Sequence, residues 1–560
     1  MKKLVAAMLL AAALCAFTVP ALAEYKAEYK LDIVPSLTTA WGMGATYFTD
    51  LVRERSDGRI NIKVYPNSQL TTGAQTNAFM LVRNGTIDFA VQSSINYSPQ
   101  IVELNLFALP FFIANQPDKY VAMDAIKAGE SGKLVVKAVE DKGVKFLAWG
   151  ENGFRELTNS KREIRSPKDM EGMKIRVVGS PIFLDAFRAI GANPLTMNWS
   201  DTMAAIQQGV VDGQENPIST FYPVKIHEYH KYVTDWHYVI DPTMYVVNPA
   251  VWKTFSEDDQ KLIQEAAEEA GKYMVALARI SLDDGTAYKY LESIGKLPEI
   301  TDWYKELANV GMTVSILTPE ETRAFAEKTA PVVDEWRSKI GEEIVAAAEA
   351  DMAAGATLRF LPGRPGLAPG RGPAERPAPA RSPTAGGCRG PFFDQKGLAS
   401  MIKKVFDNFE ELLGSVILAV MAVITFANVV TRYFILYALA FTEEVTIYLF
   451  VWLVMLGTAI AFKKGANLSM TFVYDKLPAR GKKLCFFAST ALSLAFFALL
   501  AYLGYVQVSD EIALSVTSPS LAIPMWWYTV SLPVFSVLII VRIMQAAAET
   551  VRGDEFRRGC

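Results

Sequence analysis

Beyond Met401 the chain carries four uncharged apolar stretches: Leu412 to Thr431, Val445 to Phe462, Leu484 to Ser509, and one centred on Trp526 to Val541. Each is about long enough to cross a bilayer as a helix. They are apolar all round and are separated by basic or aromatic flanks, whereas most helices of soluble domains keep a polar face. Residues 401–560 are therefore expected to form an all-α four-helix transmembrane domain in contact with membrane lipid. Residues 24–350 hold no comparable run, so the chain is built for two solvents.

The N-terminus sets the compartment. Lys2 and Lys3 precede an apolar run from Leu4 to about Val19, and Ala21-Leu22-Ala23 follows. That is the pattern of a secretory signal with cleavage after Ala23. Cys15 raises lipidation as an alternative, but Leu14 stands where a lipoprotein signal needs a small residue. With residues 1–23 as signal peptide, the next part of the chain starts outside the cytoplasm, in the periplasm, with the helices in the inner membrane. The four cysteines show no metal-ligand or redox spacing.

Residues 24–350 read as a soluble α/β domain. Strand patterns such as RINIKVYP (59–66) and KFLAWG (145–150) alternate with helical ones. Ser256 caps the longest helical stretch, with acids in its first turn, and apolar spacing continues to about Ser293. One long or kinked helix there would be able to span two lobes. From Gly355 to Gly390 the composition collapses into Gly, Pro, Ala and Arg, so residues 351–400 are expected to be a disordered linker without a membrane span.

Enzyme signatures are missing. The chain contains no G-x-S-x-G, no Walker loop, no H-E-x-x-H and no haem or iron–sulfur spacing. The three histidines are His227, His230 and His237. The first two stand three apart on a predicted helix, too few for a metal site, and read as solvated or core-edge side chains. No metal, cofactor or catalytic residue is expected. A formal net charge of -3 gives no basic field for nucleic acid.

What the sequence does offer is a set of groups for an organic anion. In GMKIRVVGSP (172–181) a strand carries Arg176 and ends at Ser180-Pro181, which reads as a helix N-cap with proline at the first helical position. Arginine and helix N-terminus both attract anions. Arg155 stands between apolar and turn residues in ENGFRELTNSKR, and Asn216-Pro217 in VVDGQENP reads as another cap. Guanidinium groups bind carboxylates bidentately and an amide both donates and accepts. The set suits a carboxylate or sulfonate with a hydroxyl or keto oxygen. Taken singly, each arginine also fits a surface ion pair and the Asn-Pro a plain cap. Titratable pairs look scarce in this cleft.

The motifs YPNSQL, NGTIDF, LFALPFF, GFRELTNSKREI, GMKIRV, GANPLTMNWSD and QQGVVDGQENPIS follow one another in order. Together they make residues 28–345 resemble the solute-binding subunits of tripartite ATP-independent periplasmic (TRAP) transporters. The membrane part, with FANVVTRYF, VWLVMLGTAIAFKKGANLSM and SPSLAIPMWWY, resembles the small four-helix subunit of the same systems. The resemblance implies a two-lobe α/β periplasmic binding protein with a long lobe-spanning helix, closing by a hinge on its ligand. It implies Arg176 as the main carboxylate anchor, Arg155 and Asn216 as secondary contacts, and Trp199 as the aromatic over the ligand, where phenylalanine is often found. It further implies a large permease subunit that carries the substrate with sodium. Asn467 stands where the family usually has histidine, which removes support for a pH-linked role there.

The sequence therefore predicts a transporter component that captures a small organic anion: a dicarboxylate, keto acid, sugar acid or sulfonate. A periplasmic ligand-sensing membrane receptor is the alternative, and it would need a cytoplasmic output domain. An extracytoplasmic lyase or hydrolase is a third. One conflict stands inside the chain. Lys463, Lys464, Lys476, Arg480, Lys482 and Lys483 mark the loop between the second and third spans as cytoplasmic, against Asp510 and Glu511 in the next. With four spans the linker is then cytoplasmic too, yet the signal peptide exports the domain before it. The halves are thus expected to act as separate polypeptides, the second starting near Met401, with residues 355–400 a recent junction, a processed linker or a reading artefact.

Overall fold

The computed structural model describes residues 25–358, 409–431, 441–464, 478–513, 518 and 523–552. The predicted signal peptide, Asn467, and Cys15, Cys388 and Cys560 lie outside the described residues, as does the predicted linker beyond residue 358; its first residues, 351–358, continue the helix Glu342–Leu358.

The strands β1 (Tyr29–Asp32), β2 (Ile62–Tyr65), β3 (Phe89–Ser93), β4 (Lys145–Phe154), β5 (Glu156–Asn159), β6 (Lys174–Val177), β7 (Asn193–Thr196), β8 (Gly213–Asn216), β9 (Tyr232–Asp235), β10 (Ile240–Val247) and β11 (Thr313–Ile316) make two sheets. Their orders are β2-β1-β3-β10-β4 and β11-β9-β5-β8-β6-β7. Each sheet, with its helices, is one lobe of the expected two-lobe α/β architecture. β1, β2 and β3 pair in parallel through helical crossovers, as do β6, β7 and β8, while β10 runs antiparallel to β3 and β4 and β5 runs antiparallel to β8 and β9.

Three connections cross between the lobes, one from β10 to β11 through helices and two directly between strands. β4 passes into β5 through a single residue, Arg155, and β9 passes into β10 through Trp236 to Val239. The two crossings are tied by a hydrogen bond of 3.0 Å from the Arg155 backbone N–H to the Val239 carbonyl. Such paired crossings leave few dihedrals for the lobes to turn about, the geometry of a hinge.

The first lobe's core gathers Phe48, Phe89, Tyr245 and Phe255 with Ile263, Ala267, Ala270 and Met274 from the helix Glu257–Arg279. Ser256 caps that helix as expected, its hydroxyl accepting from the Asp259 N–H. The stretch does not continue to Ser293. It stops at Arg279, whose side chain is drawn into ion pairs with Glu151 and Asp124. A turn through Ser281 and Gly285, both at positive φ, then separates it from a second helix, Thr286–Ser293. The first helix ends at the interlobe crossing, with the Ala278 carbonyl beside Gly153.

In the membrane part the helices Phe409–Val430, Phe441–Lys464, Ala479–Ala513 and Ser531–Arg552 contain four spans that match the predicted ones. Leu456, Ala459, Phe497, Phe535 and Ile539 meet in their centre, while Val423, Phe426, Leu484 and Leu492 face outward. An apolar exterior of this kind suits hydrocarbon. Near the helix ends Glu410, fully buried, accepts from Arg542 Nε at 2.6 Å and pairs with Lys463. Asp510 and Glu511 fall inside the third long helix instead of a loop.

Candidate ligand site in the interlobe cleft

A small cavity lies between the two sheets. Arg176, Arg155, Asn216 and Trp199, the four residues singled out in the sequence, all line it. Trp41, Gln75, Ser93, Asn96, Asn152, Thr220 and Asp241 complete the polar and aromatic part of its wall.

Arg176 comes from β6, whose short Lys-Ile-Arg-Val run pairs with β7 and β8 on either side. That central position buries the guanidinium almost completely, at 1% exposure. Its Nε and Nη2 donate to the Met197 carbonyl at 3.0 and 2.7 Å, and no carboxylate pairs with it among the described residues. Burial pushes its pKa down to about 10, with Glu215 opposing and Arg155 adding to the shift. It therefore remains charged at neutral pH. The guanidinium carbon lies 5.6 Å from the Trp199 ring centroid, within cation–π range. Trp199 opens the helix Trp199–Gln207, and its backbone N–H donates to Gln75 Oε1 at 2.8 Å, tying the start of that helix to the opposite lobe.

Arg155 is differently placed. Its Nε and Nη2 grip the two carboxylate oxygens of Glu215, Nη2 also reaches the Glu215 carbonyl at 2.8 Å, and Nη1 donates to Asp241 Oδ2 at 3.2 Å. Burial disfavours its charge, but Glu215 and Asp241 outweigh it and hold its pKa above the ordinary value. Glu215 belongs to β8 and Asp241 to β10, so this one side chain bridges both lobes at their crossing. The expectation of few titratable pairs in the cleft is overturned by these two acids. Sequence reasoning missed them; the visible signal was an acid inside the otherwise apolar strand pattern VIDPTMYVV.

Asn216 ends β8 and does not cap a helix. Its pairing with Glu156 draws it into the sheet, and the short helix Ile218–Phe221 takes Pro217 as its cap. Asn216 Nδ2 donates to Gln214 Oε1 at 2.8 Å. Ser180 does take the N-cap position before Pro181, but its hydroxyl turns to Ser98 and Asn105.

The histidines divide. His230 is buried against Thr158 Oγ1 at 2.8 Å, and burial pushes its pKa down to about 4. His227 packs on Tyr222. His237 joins Glu156 and Asp235 in a buried cluster at the interlobe crossing, a grouping the sequence did not reveal.

Residues 32–293 match the family profile of bacterial extracellular solute-binding proteins, family 7, and residues 421–553 match that of the DctQ component of tripartite ATP-independent periplasmic transporters. A TRAP periplasmic solute-binding protein from Ralstonia eutropha H16, solved with bound (S)-2-acetolactate, is 46% identical. It superposes with a TM-score of 0.54 over 59% of this chain and 100% of that one. The 2,3-diketo-L-gulonate-binding periplasmic protein YiaO of Escherichia coli is 31% identical over 289 residues, 51% of this chain and 86% of its own. The uncharacterized protein y4mM of Sinorhizobium fredii aligns over 515 residues at 27% identity, 91% of this chain and 84% of its own. An alignment of that length crosses both parts, so their union in one chain recurs in a relative. The chain belongs to the tripartite ATP-independent periplasmic transporter family, joining its family 7 solute-binding component to its DctQ membrane component.

Proposed function

We propose that residues 24–350 are a receptor that captures a small organic acid in the periplasm and presents it to a large membrane permease, which carries it inward with sodium. Arg176 anchors the ligand carboxylate, Trp199 covers it and Asn216 completes the contact, while Arg155, held by Glu215 and Asp241, stiffens the wall behind them. Residues 1–23 export the domain and are removed, residues 351–400 connect it, and residues 401–560 sit in lipid beside the permease. The protein binds and releases its ligand unchanged, without cofactor or metal.

One observation carries this reading: Arg176 is a buried, charged guanidinium on the cavity wall with no carboxylate paired to it among the described residues. Leaving such a charge uncompensated is costly, and an anionic ligand removes the cost. The names of two relatives support the ligand class, since acetolactate and 2,3-diketogulonate each pair a carboxylate with keto or hydroxyl oxygens. A thermal-shift screen of organic acids tests it. An acid present at 100 times its Kd adds roughly 2.7 kcal/mol of stability, and a set of acids that moves no transition would refute the proposal.

A further inference from the structure

The charges around the cavity do not match in number, and the mismatch bears on which acids fit. Four ionisable groups meet there: Arg176, Arg155, Glu215 and Asp241. Arg155 is already spent, because each of its three nitrogens has an acceptor on Glu215 or Asp241. Glu215 is further held by the Tyr238 hydroxyl at 2.6 Å. Among the described residues, Arg176 is the cation on the cavity wall that no carboxylate pairs with.

The carboxylate of Asp241 lines the same space. Ser93 Oγ donates to its Oδ1 at 2.6 Å, and Asn152 Nδ2 donates to its Oδ2 at 2.9 Å, beside Arg155 Nη1. Three donors therefore fix it, and it lies beside a β-bulge between Asp241 and Pro242, where β10 leaves the crossing. The rest of the wall is neutral: Asn96, Asn152, Thr220 and Gln75 offer amide and hydroxyl groups suited to hydroxyl or keto oxygens.

We infer that the site selects acids with a single negative charge and rejects dicarboxylates, and that Asp241 is the residue that sets this specificity. The inference rests on the anion-binding reading above. A first carboxylate is matched by Arg176. A second finds no other cation free of a carboxylate among the described residues that line the cavity, and shares the space with Asp241. Two like charges in a closed, dry site cost far more than in water. Burial raises the Asp241 pKa, with Arg155, Asn152 and Ser93 opposing and Glu215 adding.

Two matched pairs of ligands test this by calorimetry on the full chain in detergent at pH 8. The first pair is 2-acetolactate against citramalate, which differ by an acetyl group in place of a carboxymethyl group. The second is 2-hydroxybutanoate against malate. The singly charged member of at least one pair is expected to bind ten-fold or more tighter than its doubly charged partner, with no reversal in the other. Asp241→Asn is expected to narrow that gap several-fold by strengthening the dicarboxylate. Equal or tighter binding of the dicarboxylates to the wild-type chain would overturn the inference without any variant having to fold. A wild-type preference that Asp241→Asn leaves unchanged, in a variant that still binds, would overturn the role of Asp241. Failure of all four acids to bind would overturn the anion reading itself, and the inference with it.

Discussion

Arg176 lies against the face of Trp199, 5.6 Å from guanidinium carbon to ring centroid, while the backbone N–H of Trp199 donates to Gln75 of the other lobe. Charge and ring are thus presented together, one buried and one half-buried, at the mouth of the same cavity. Ligand capture is expected to change the surroundings of that indole. Tryptophan fluorescence should respond to binding in the wild-type chain and lose most of its response in Trp199→Phe. Trp199→Ala should weaken binding by about 1 kcal/mol, several-fold, less than any loss of Arg176. An unaltered fluorescence response in a folded Trp199→Phe variant would remove Trp199 from the site.

Arg155 and Arg176 are predicted to fail in different ways. Removing Arg155 leaves Glu215 and Asp241 buried without their cation, a loss on the order of 3–5 kcal/mol in folding stability. Arg155→Ala should therefore lower the melting temperature of the binding domain strongly even without ligand. Arg176→Ala removes a buried charge that no carboxylate pairs with among the described residues, and should leave the ligand-free transition near or above wild type. Equal destabilisation by both would contradict the assignment of one as interlobe tie and the other as anchor.

The cluster of Glu156, Asp235 and His237 predicts a pH dependence. Burial pushes Glu156 up to about 7, with His237 opposing and Asp235 adding. Burial works against charge on His237, but Glu156 and Asp235 outweigh it and raise its pKa, with Lys119 opposing. Tyr304 closes the cluster on Asp235. Both raised groups hold more protons folded than unfolded, so stability is present below their unfolded values of 4.5 and 6.5 and is lost as pH rises through the folded ones. The melting temperature should fall between pH 6 and pH 8, and His237→Gln should flatten that slope. A melting temperature that rises across this window would reverse the sign and reject the account.

How the two parts reach their compartments is open to a direct test. The charge bias of the spans and the export signal demand opposite sides for the linker, although y4mM carries both parts in one chain. Two separate polypeptides, the second starting near Met401, would reconcile them, with residues 355–400 a recent junction, a processed linker or a reading artefact. A C-terminally tagged gene expressed in its host should give a membrane band of about 160 residues, the length from Met401 to Cys560. A single full-length membrane-bound band, with its binding domain open to protease from the periplasm, would contradict this.

The anchor was legible because its signals are local. Arg176 sits in a four-residue strand closed by Ser180-Pro181, and the spans announce themselves by composition. Ser256 was equally plain as a helix start. Its stop was not, because Arg279 ends the helix through partners 128 and 155 residues away. Asn216 was misread as a cap for the same reason: its strand pairing with Glu156 depends on a chain segment 60 residues earlier. Glu215 and Asp241 each look like ordinary acids until the fold sets them on Arg155. Local pattern reveals which residues are unusual, and long-range pairing decides which of them are satisfied.

The central claim is that the unpaired guanidinium of Arg176 holds the ligand, and calorimetry of Arg176→Ala and Arg176→Lys with the tightest acid from the screen tests it most directly. The alanine variant is predicted to lose about 3–5 kcal/mol of binding, hundreds-fold or more, with lysine restoring only part because it lacks the planar fork. An Arg176→Ala variant that is folded and binds within a few-fold of wild type would contradict it.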